Sequence, residues 1–319
     1  MKKIIFLLFL PILASGLFAE DNEGLTMSSE LVLQISSLPE AKLGFTQSFR
    51  FPLLQGSGPL TEGNNLKLNL TAEITPISLN GIFKAILTPI AFIELSAGGR
   101  LGAGWPLNLL GSDIYGTGLN VEGTGMNLRN AGYVAEYKGS AFDALLWKAF
   151  IGGTFQFDFA AIFPGDWNHV VFLTYHEINI HGNTSAKAGE SWYYENDDGE
   201  NCNGFNYYGN FVIGYQMPIF LNMVAILTEM NLNLYDTPGR SLWGDDVIRW
   251  HFAGVLNFTI TKNFGAALIT QFRTRRNFTN FDEHKEDEPY LHYRSRILDT
   301  SNPLRLEFYR VAAIISFKL

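Results

Sequence analysis

The chain has 319 residues, of which 47% are hydrophobic, 14% are aromatic and 17% are charged. Its 23 basic and 31 acidic residues give a net charge of −8, which argues against nucleic acid as a partner. The single cysteine, Cys202, excludes an internal disulfide framework.

The N-terminus has the pattern of a secretory signal peptide. Lys2 and Lys3 provide a positive start, residues 4–13 are almost wholly apolar, and small residues follow up to Ala19. This pattern predicts cleavage after Ala19, with cleavage after Gly16 as the alternative, and a mature domain of residues 20–319. An uncleaved membrane anchor is the other interpretation, although the apolar run is shorter than the ~20 residues that a spanning helix needs.

Beyond Leu25, apolar and polar side chains alternate in about a dozen segments of roughly ten residues. A period of two predicts strands with one apolar and one polar face. About ten residues is also the length at which a tilted strand crosses a bilayer. Alternation is clearest in residues 66–75, where leucines at 66, 68 and 70 alternate with Lys67, Asn69 and Thr71.

The predicted strands follow one another along the whole chain. A turn is predicted at residues 78–81, and a long glycine-rich connection at residues 106–140. The remaining predicted strands cover residues 30–35, 42–51, 82–88, 93–105, 151–162, 167–181, 205–216, 224–234 and 248–258, a segment around Leu268 and Phe272, and the closing segment 304–319. In the closing segment the apolar face includes Leu319, Phe317, Ile315 and Tyr309, and Arg310 lies on the other face.

The connections sort into two kinds. Tight turns at 88–92, 163–166, 217–220 and 261–264 fall on one side, and long connections at 106–140, 182–203, 236–245 and 277–303 fall on the other. Residues 52–64 would form an unusually long turn on the side of the barrel that carries the tight turns. The sequence thus predicts an all-β protein that forms a single transmembrane antiparallel β-barrel. The predicted number of strands is about 12, and 10 to 14 strands are possible. The short turns are predicted to be periplasmic and the long loops extracellular.

A soluble β-sandwich or a lipocalin-like barrel is the alternative fold. In such proteins the apolar faces would form the core and the polar faces would meet water. Aromatic clusters such as Phe155, Phe157 and Phe159 favour the membrane barrel, because they would face lipid while charged side chains fill the inside.

The inward positions predict a polar lumen with charges of both signs. The candidate pore-lining residues are Arg50, Lys67, Glu73, Glu94, Arg100, Asp158, Glu177, Glu229, Arg249, His251, Arg273, Arg275 and Arg310. Such a lumen fits a narrow passive channel for small hydrophilic solutes, without strong selection by charge. Two alternatives are a salt-bridged, closed barrel that displays its loops for adhesion or host interaction, and a fatty-acid transporter, for which the sequence offers no apolar lumen.

Two further clusters have residue types that occur in catalytic or cation-binding sites. His176, Glu177, His181, Asn183, Thr184 and Ser185 lie close in sequence, but a catalytic triad is recognised by geometry, and no nucleophile motif surrounds Ser185. We therefore predict no enzymatic activity and no cofactor. Glu195, Asp197, Asp198 and Glu200 are a candidate surface cation site, although the spacing of a calcium loop is absent.

Residues 89–105, PIAFIELSAGGRLGAGW, and the closing strand resemble outer-membrane β-barrels of spirochaetes, the treponemal group in particular. Barrels of this kind usually end in Phe, whereas here Leu319 is last and Phe317 stands two positions earlier. The resemblance implies a surface-exposed, porin-like barrel with no catalytic residue. It also implies recognition of the terminal strand by the barrel-assembly machinery, contact with outer-membrane lipid, and host ligands at the extracellular loops.

Overall fold

The alternating segments of the sequence form the strands of a closed sheet. A computed structural model describes residues 24–38, 40–109, 112–120, 137–138, 141–187, 192–195, 201–234, 244, 246–277 and 298–319. The predicted signal peptide, residues 1–19, lies outside these ranges. Within them, no helix is long and apolar enough to span a membrane.

Seventeen strands are present in the described residues. They are β1 (Thr26–Ser36), β2 (Ala41–Pro52), β3 (Asn65–Thr75), β4 (Ser78–Ile90), β5 (Ile93–Gly104), β6 (Pro106–Leu109), β7 (Ser112–Tyr115), β8 (Thr117–Asn120), β9 (Tyr137–Lys138), β10 (Leu146–Asp158), β11 (His169–Asn183), β12 (Trp192–Tyr194), β13 (Gly204–Gln216), β14 (Leu221–Asn233), β15 (Arg249–Thr259), β16 (Phe264–Arg276) and β17 (Leu304–Lys318).

Twelve of the strands close into one antiparallel barrel. Their order around it is β1-β2-β3-β4-β5-β10-β11-β13-β14-β15-β16-β17, and β1 pairs with β17. Leu31 lies opposite Phe317 in this closing pair, so the C-terminal strand completes the cylinder. The predicted strand number and the antiparallel barrel are confirmed. The long connection after β2 also lies, as predicted, on the side of the barrel that carries the short turns.

The outside of the barrel is apolar and the inside is polar. Leu101, Ile151 and Ile226 are 62%, 65% and 67% exposed, whereas Glu177 and Asn179 are buried. A water-soluble barrel would show the reverse, since burying charges and exposing large apolar side chains both cost free energy. A closed antiparallel barrel with an apolar outer band is the architecture of bacterial outer-membrane proteins, and it places the chain in that membrane.

Two predicted segments fold differently. Residues 78–81 begin strand β4 instead of forming a turn, and Thr75 pairs directly with Ser78 around a two-residue turn. The strand predicted at 151–162 runs from Leu146 to Asp158 and ends in a 3-10 turn, Phe159–Ala161, where the Asp158 carboxylate accepts a bond from the Ala160 amide.

The prediction that Tyr309 lies on the outer face was wrong because of a β-bulge. Gln271 pairs with Arg310 and Phe272 with Phe308, so Tyr309 is an extra residue in β17. Its ring lies 4.2 Å from the guanidinium carbon of Arg273, on the inner face. The bulge gives the inner wall an aromatic side chain among its arginines.

Two of the long connections on the extracellular side contain β-structure of their own in their described parts. Strands β6 and β7 form a hairpin, and β8 pairs with both β9 and β12. The described parts of the connection after β5 thus contain short strands, where the sequence predicted only a long glycine-rich connection. Because β12 belongs to the connection after β11, the second sheet ties two extracellular connections together.

Candidate functional site in the barrel mouth and lumen

Residues 192–195, which we call the inward segment, bind to the inner wall of the barrel. The Glu195 carboxylate accepts hydrogen bonds from Ser78 Oγ at 2.7 Å and Asn80 Nδ2 at 3.0 Å. Arg100 Nη2 lies 3.4 Å from the same oxygen and forms an ion pair with it. Since Ser78 and Asn80 are fully buried, this part of an extracellular connection sits inside the mouth of the barrel.

A ladder of backbone hydrogen bonds supports the inward segment. The Trp105 amide donates to Ile77 O at 2.9 Å, the Gly116 amide to Trp105 O at 3.0 Å, and the Glu195 amide to Gly116 O at 2.8 Å. Gly116 is required because a Cβ there would lie 1.9 Å from Ile77 O. Main-chain bonds thus run from the rim of the barrel to Glu195.

Tyr194 packs beside Glu195 on the same wall. Its hydroxyl donates to Asn80 Oδ1 at 2.6 Å, and its ring centroid lies 5.3 Å from Arg100 Cζ. Gly102 leaves room for the ring, since a Cβ there would lie 2.8 Å from the tyrosine oxygen. Burial, followed by the neighbouring Glu195 carboxylate, raises the pKa of Tyr194 to about 12, so its hydroxyl stays a donor at physiological pH.

Glu195 adopts a backbone conformation that its docking must stabilise. Its φ is +54°, in the left-handed region that non-glycine residues rarely occupy. Such a conformation costs about 1–3 kcal/mol and persists where surrounding contacts fix it. Here the three polar contacts of the carboxylate and the backbone ladder supply that constraint.

Further down the lumen, Glu177 is the centre of a first charged cluster. Lys148 Nζ lies 2.5 Å from its carboxylate, the Tyr175 hydroxyl donates to it at 2.7 Å and Asn179 Nδ2 at 3.0 Å. Lys84 Nζ lies 5.0 Å from the centroid of the Tyr175 ring. The buried carboxylate is therefore paired and hydrogen-bonded, as a buried charge must be.

Gly152 provides the space for the Tyr175 ring, and we expect Gly152→Val to destabilise the barrel by about 1–3 kcal/mol, as overpacking usually does. A Cβ at this position would lie 2.6 Å from the tyrosine oxygen, so the ring must move and its bond to Glu177 breaks. Urea unfolding of the detergent-folded protein measures the change. The control is Gly153→Val, because a Cβ there meets nothing closer than 3.8 Å. Equal losses for both variants would contradict the assigned role of the glycine.

A second charged cluster lies on the wall formed by β14–β17. Glu229 accepts a bond from the Tyr208 hydroxyl at 2.5 Å and lies 3.6 Å from His251. Glu307 lies 2.9 Å from Arg273. Further close contacts of this wall join Arg275 and Arg305 to Glu307, and Arg310 to Glu40 and Gln271. Arginines outnumber carboxylates here, so this wall is the more basic side of the lumen.

A cavity of about 140 Å³ opens between the two clusters, near the extracellular ends of β10, β11, β13, β14 and β15. Five asparagines dominate its wall, and we call it the amide cavity. Its lining residues are Lys148, Asn179, His181, Asn201, Asn206, Tyr207, Tyr208, Asn231, Leu232, Asn233 and Arg249. Alternation in the sequence places Asn179, Asn206, Asn231 and Asn233 on the polar faces of their strands, but the candidate pore-lining residues were restricted to charged or titratable side chains and did not include them.

The thirteen candidate pore-lining residues fall into four groups. Arg100 holds the inward segment, and Glu177, Glu229, Arg249, His251, Arg273, Arg275 and Arg310 belong to the clusters or the cavity. Glu73 pairs with Lys42 at 3.4 Å. The remaining four residues lie toward the periplasmic end of the barrel. Asp158 lies 2.7 Å from His169, and Arg50 donates a hydrogen bond to Gly63 O. Lys67 lies opposite Arg50 in the sheet, and Glu94 lies opposite Thr154. Their role as a pore lining stays a prediction.

The two polar clusters noted in the sequence have the following positions in the described residues. Glu195 is bound to Arg100 in the mouth, so it is not a free surface ligand, and Asp197, Asp198 and Glu200 lie outside the described ranges. His176 contacts the Tyr207 hydroxyl on the outer face, whereas His181 faces the cavity. Ser185 Oγ donates to Asp143 O, away from both histidines.

The known structures to which this chain is similar share little sequence with it. No family model and no curated protein matches the chain. Among solved structures it is similar to CdiB from Acinetobacter baumannii, with 8% identity and a TM-score of 0.36 over 93% of this chain; the chain spans only 60% of the length of that one. It is also similar to OccK2 (OpdF) from Pseudomonas aeruginosa, with 10% identity and a TM-score of 0.26. The similarity to OccK5 (OpdH) from the same organism has 8% identity and a TM-score of 0.23. Both similarities cover 93% of this chain and 97% of the other protein.

Proposed function

We propose that the protein is a narrow passive channel for small hydrophilic solutes. The observation that carries the proposal is the polar inner wall of a closed barrel that still encloses a cavity of about 140 Å³. An eight-stranded barrel is filled by its own side chains, and barrels of about 16–18 strands leave a wide aqueous channel. Twelve strands lie between these cases and fit a restricted passage.

The interior charges support weak selection by charge. Carboxylates at Glu177, Glu229 and Glu307 each lie next to a cationic or basic partner, so neither sign dominates the whole lumen. A lumen with a single sign of charge would concentrate counter-ions and exclude co-ions. Size, set partly by the inward segment in the mouth, is the stronger filter in this arrangement.

Planar-bilayer recording of the purified, folded barrel tests the proposal. We expect discrete current steps with a small conductance, and a reversal potential close to zero in a salt gradient, because the wall carries both signs. Liposome swelling should show entry of glycerol and no entry of a trisaccharide. Absence of discrete current together with absence of swelling would reject the channel and favour a closed barrel that displays its extracellular connections for adhesion.

Several finer features remain part of this proposal. The likeness to spirochaete barrels, the cleaved signal peptide, recognition of β17 by the barrel-assembly machinery and binding of host ligands are predictions from the sequence. Their direct tests are N-terminal sequencing of the mature protein, assembly of a variant that lacks β17, and binding of host components to whole cells.

A further inference from the structure

We infer that the amide cavity is a binding site for a small polyhydroxylated solute of monosaccharide size. This inference rests on the proposed channel function and names the class of solute that the channel favours. It starts from the composition of the wall. Of the eleven lining residues, all of them in the described ranges, none is acidic and five are asparagines.

Asparagine amides suit hydroxyl groups because each offers two donors and one acceptor oxygen with two lone pairs. A sugar hydroxyl both donates and accepts, so it can satisfy an amide in either direction. The described lining residues carry positive charges and no carboxylate, so they do not favour an organic cation. The two cationic side chains of the wall, Lys148 and Arg249, add further donors for hydroxyl oxygens.

The amides retain hydrogen-bonding capacity toward the cavity. Within the described ranges, Asn179 makes one side-chain hydrogen bond, to Glu177, and Asn206 makes one, to Gly204 O. Asn231 makes none to any described residue, although it lines the cavity. These are polar groups that water or a bound solute must satisfy, since unpaired amides are costly in a low-dielectric interior.

Fixed positions make the cavity a preformed site. Asn179 is held by Glu177, and Arg249 donates to Asn233 Oδ1 at 3.3 Å. Tyr208, which also lines the cavity, is held by the hydrogen bond that its hydroxyl donates to Glu229 at 2.5 Å. The volume is many times the ~10–15 Å³ that one water requires, so the space can hold a small organic molecule.

Saturation-transfer NMR on the detergent-folded barrel tests binding without requiring conduction. The probes are D-glucose and D-galactose, with choline as the comparison, because choline is a small organic cation with one hydroxyl group and no carboxylate. We expect transfer to the sugars and none to choline. Asn231→Leu and Asn206→Leu should each weaken sugar binding about tenfold, which corresponds to about 1.4 kcal/mol. If either leucine variant fails to fold, the alanine variant replaces it.

The matched control is Asn257→Leu, an inward asparagine near the periplasmic end of β15 that does not line the cavity. Its sugar binding should equal that of the wild type. Absence of transfer to either sugar, equal transfer to choline, or equal loss in all three variants would overturn the inference. Binding without conductance would reject the channel and keep the site, whereas conductance without binding would reject the site alone.

Discussion

Replacing Glu195 by alanine should raise the single-channel conductance severalfold. The carboxylate is the point at which the inward segment is fixed to the wall, through Ser78, Asn80 and Arg100. A hydrogen bond to a charged group contributes about 1.5–3 kcal/mol, and the loss of these contacts also removes the reason for the left-handed backbone at this residue. The segment should then leave the wall and widen the mouth.

Single-channel recording in planar bilayers measures this change, and swelling of liposomes with larger sugars gives a second readout. Asp143→Ala is the matched control, because it removes an exposed carboxylate from an extracellular connection without touching the wall. Gly102→Val should also release the inward segment, but through a change in the barrel wall, since the valine side chain would occupy the place of the Tyr194 hydroxyl. An unchanged conductance in both Glu195→Ala and Gly102→Val would show that the segment does not limit the passage.

The barrel was predictable from sequence because its signal is local. In a strand, each residue points to the face opposite its neighbour, so Leu66–Ile74 and their polar partners reveal both faces without any knowledge of the partner strands. Residues at strand ends and irregularities were less predictable. Ser78 and Asn80 have the composition of a turn, yet they lie in β4, where they pair with β3 and β5 and their side chains bind Glu195 inside the mouth.

The contacts of the candidate site were not predictable, because they join residues far apart in the chain. Alternation places Arg100 on the inner face but cannot show that its partner is Glu195. The bulge at Tyr309 breaks alternation by one residue and turns an aromatic ring inward. The asparagines of the cavity carry no charge, so a search for charged inward positions passes over them.

The inward segment and the amide cavity are in direct contact. Trp192, the first residue of the segment, is almost fully buried and packs edge-on against His181, with ring centroids 5.1 Å apart. His181 in turn lines the cavity. Release of the segment should therefore also loosen one wall of the cavity, so that Glu195→Ala weakens sugar binding while it increases conductance.

The second large effect is expected at the outer surface, where Ile151→Arg should destabilise the barrel by about 2–4 kcal/mol, the cost of arginine on the lipid face near the bilayer midplane. Ile151 lies in the middle of β10, opposite Ile178 of β11, and is 65% exposed. In a water-soluble barrel an arginine at such an exposed position would cost almost nothing. The sign and size of this effect thus separate the two environments.

Folding into lipid vesicles, followed by urea titration, measures the free energy of unfolding of each variant. The matched control is Thr154→Arg on the same strand, which faces inward opposite Glu94. We expect the control to change stability by less than the lipid-facing variant, because its guanidinium meets a carboxylate within the polar lumen. A small loss for Ile151→Arg, or a larger loss for Thr154→Arg, would mean that the apolar face of the sheet does not contact hydrocarbon. In that case the channel, its mouth and its cavity would all need another explanation, since each depends on which face of the sheet meets lipid.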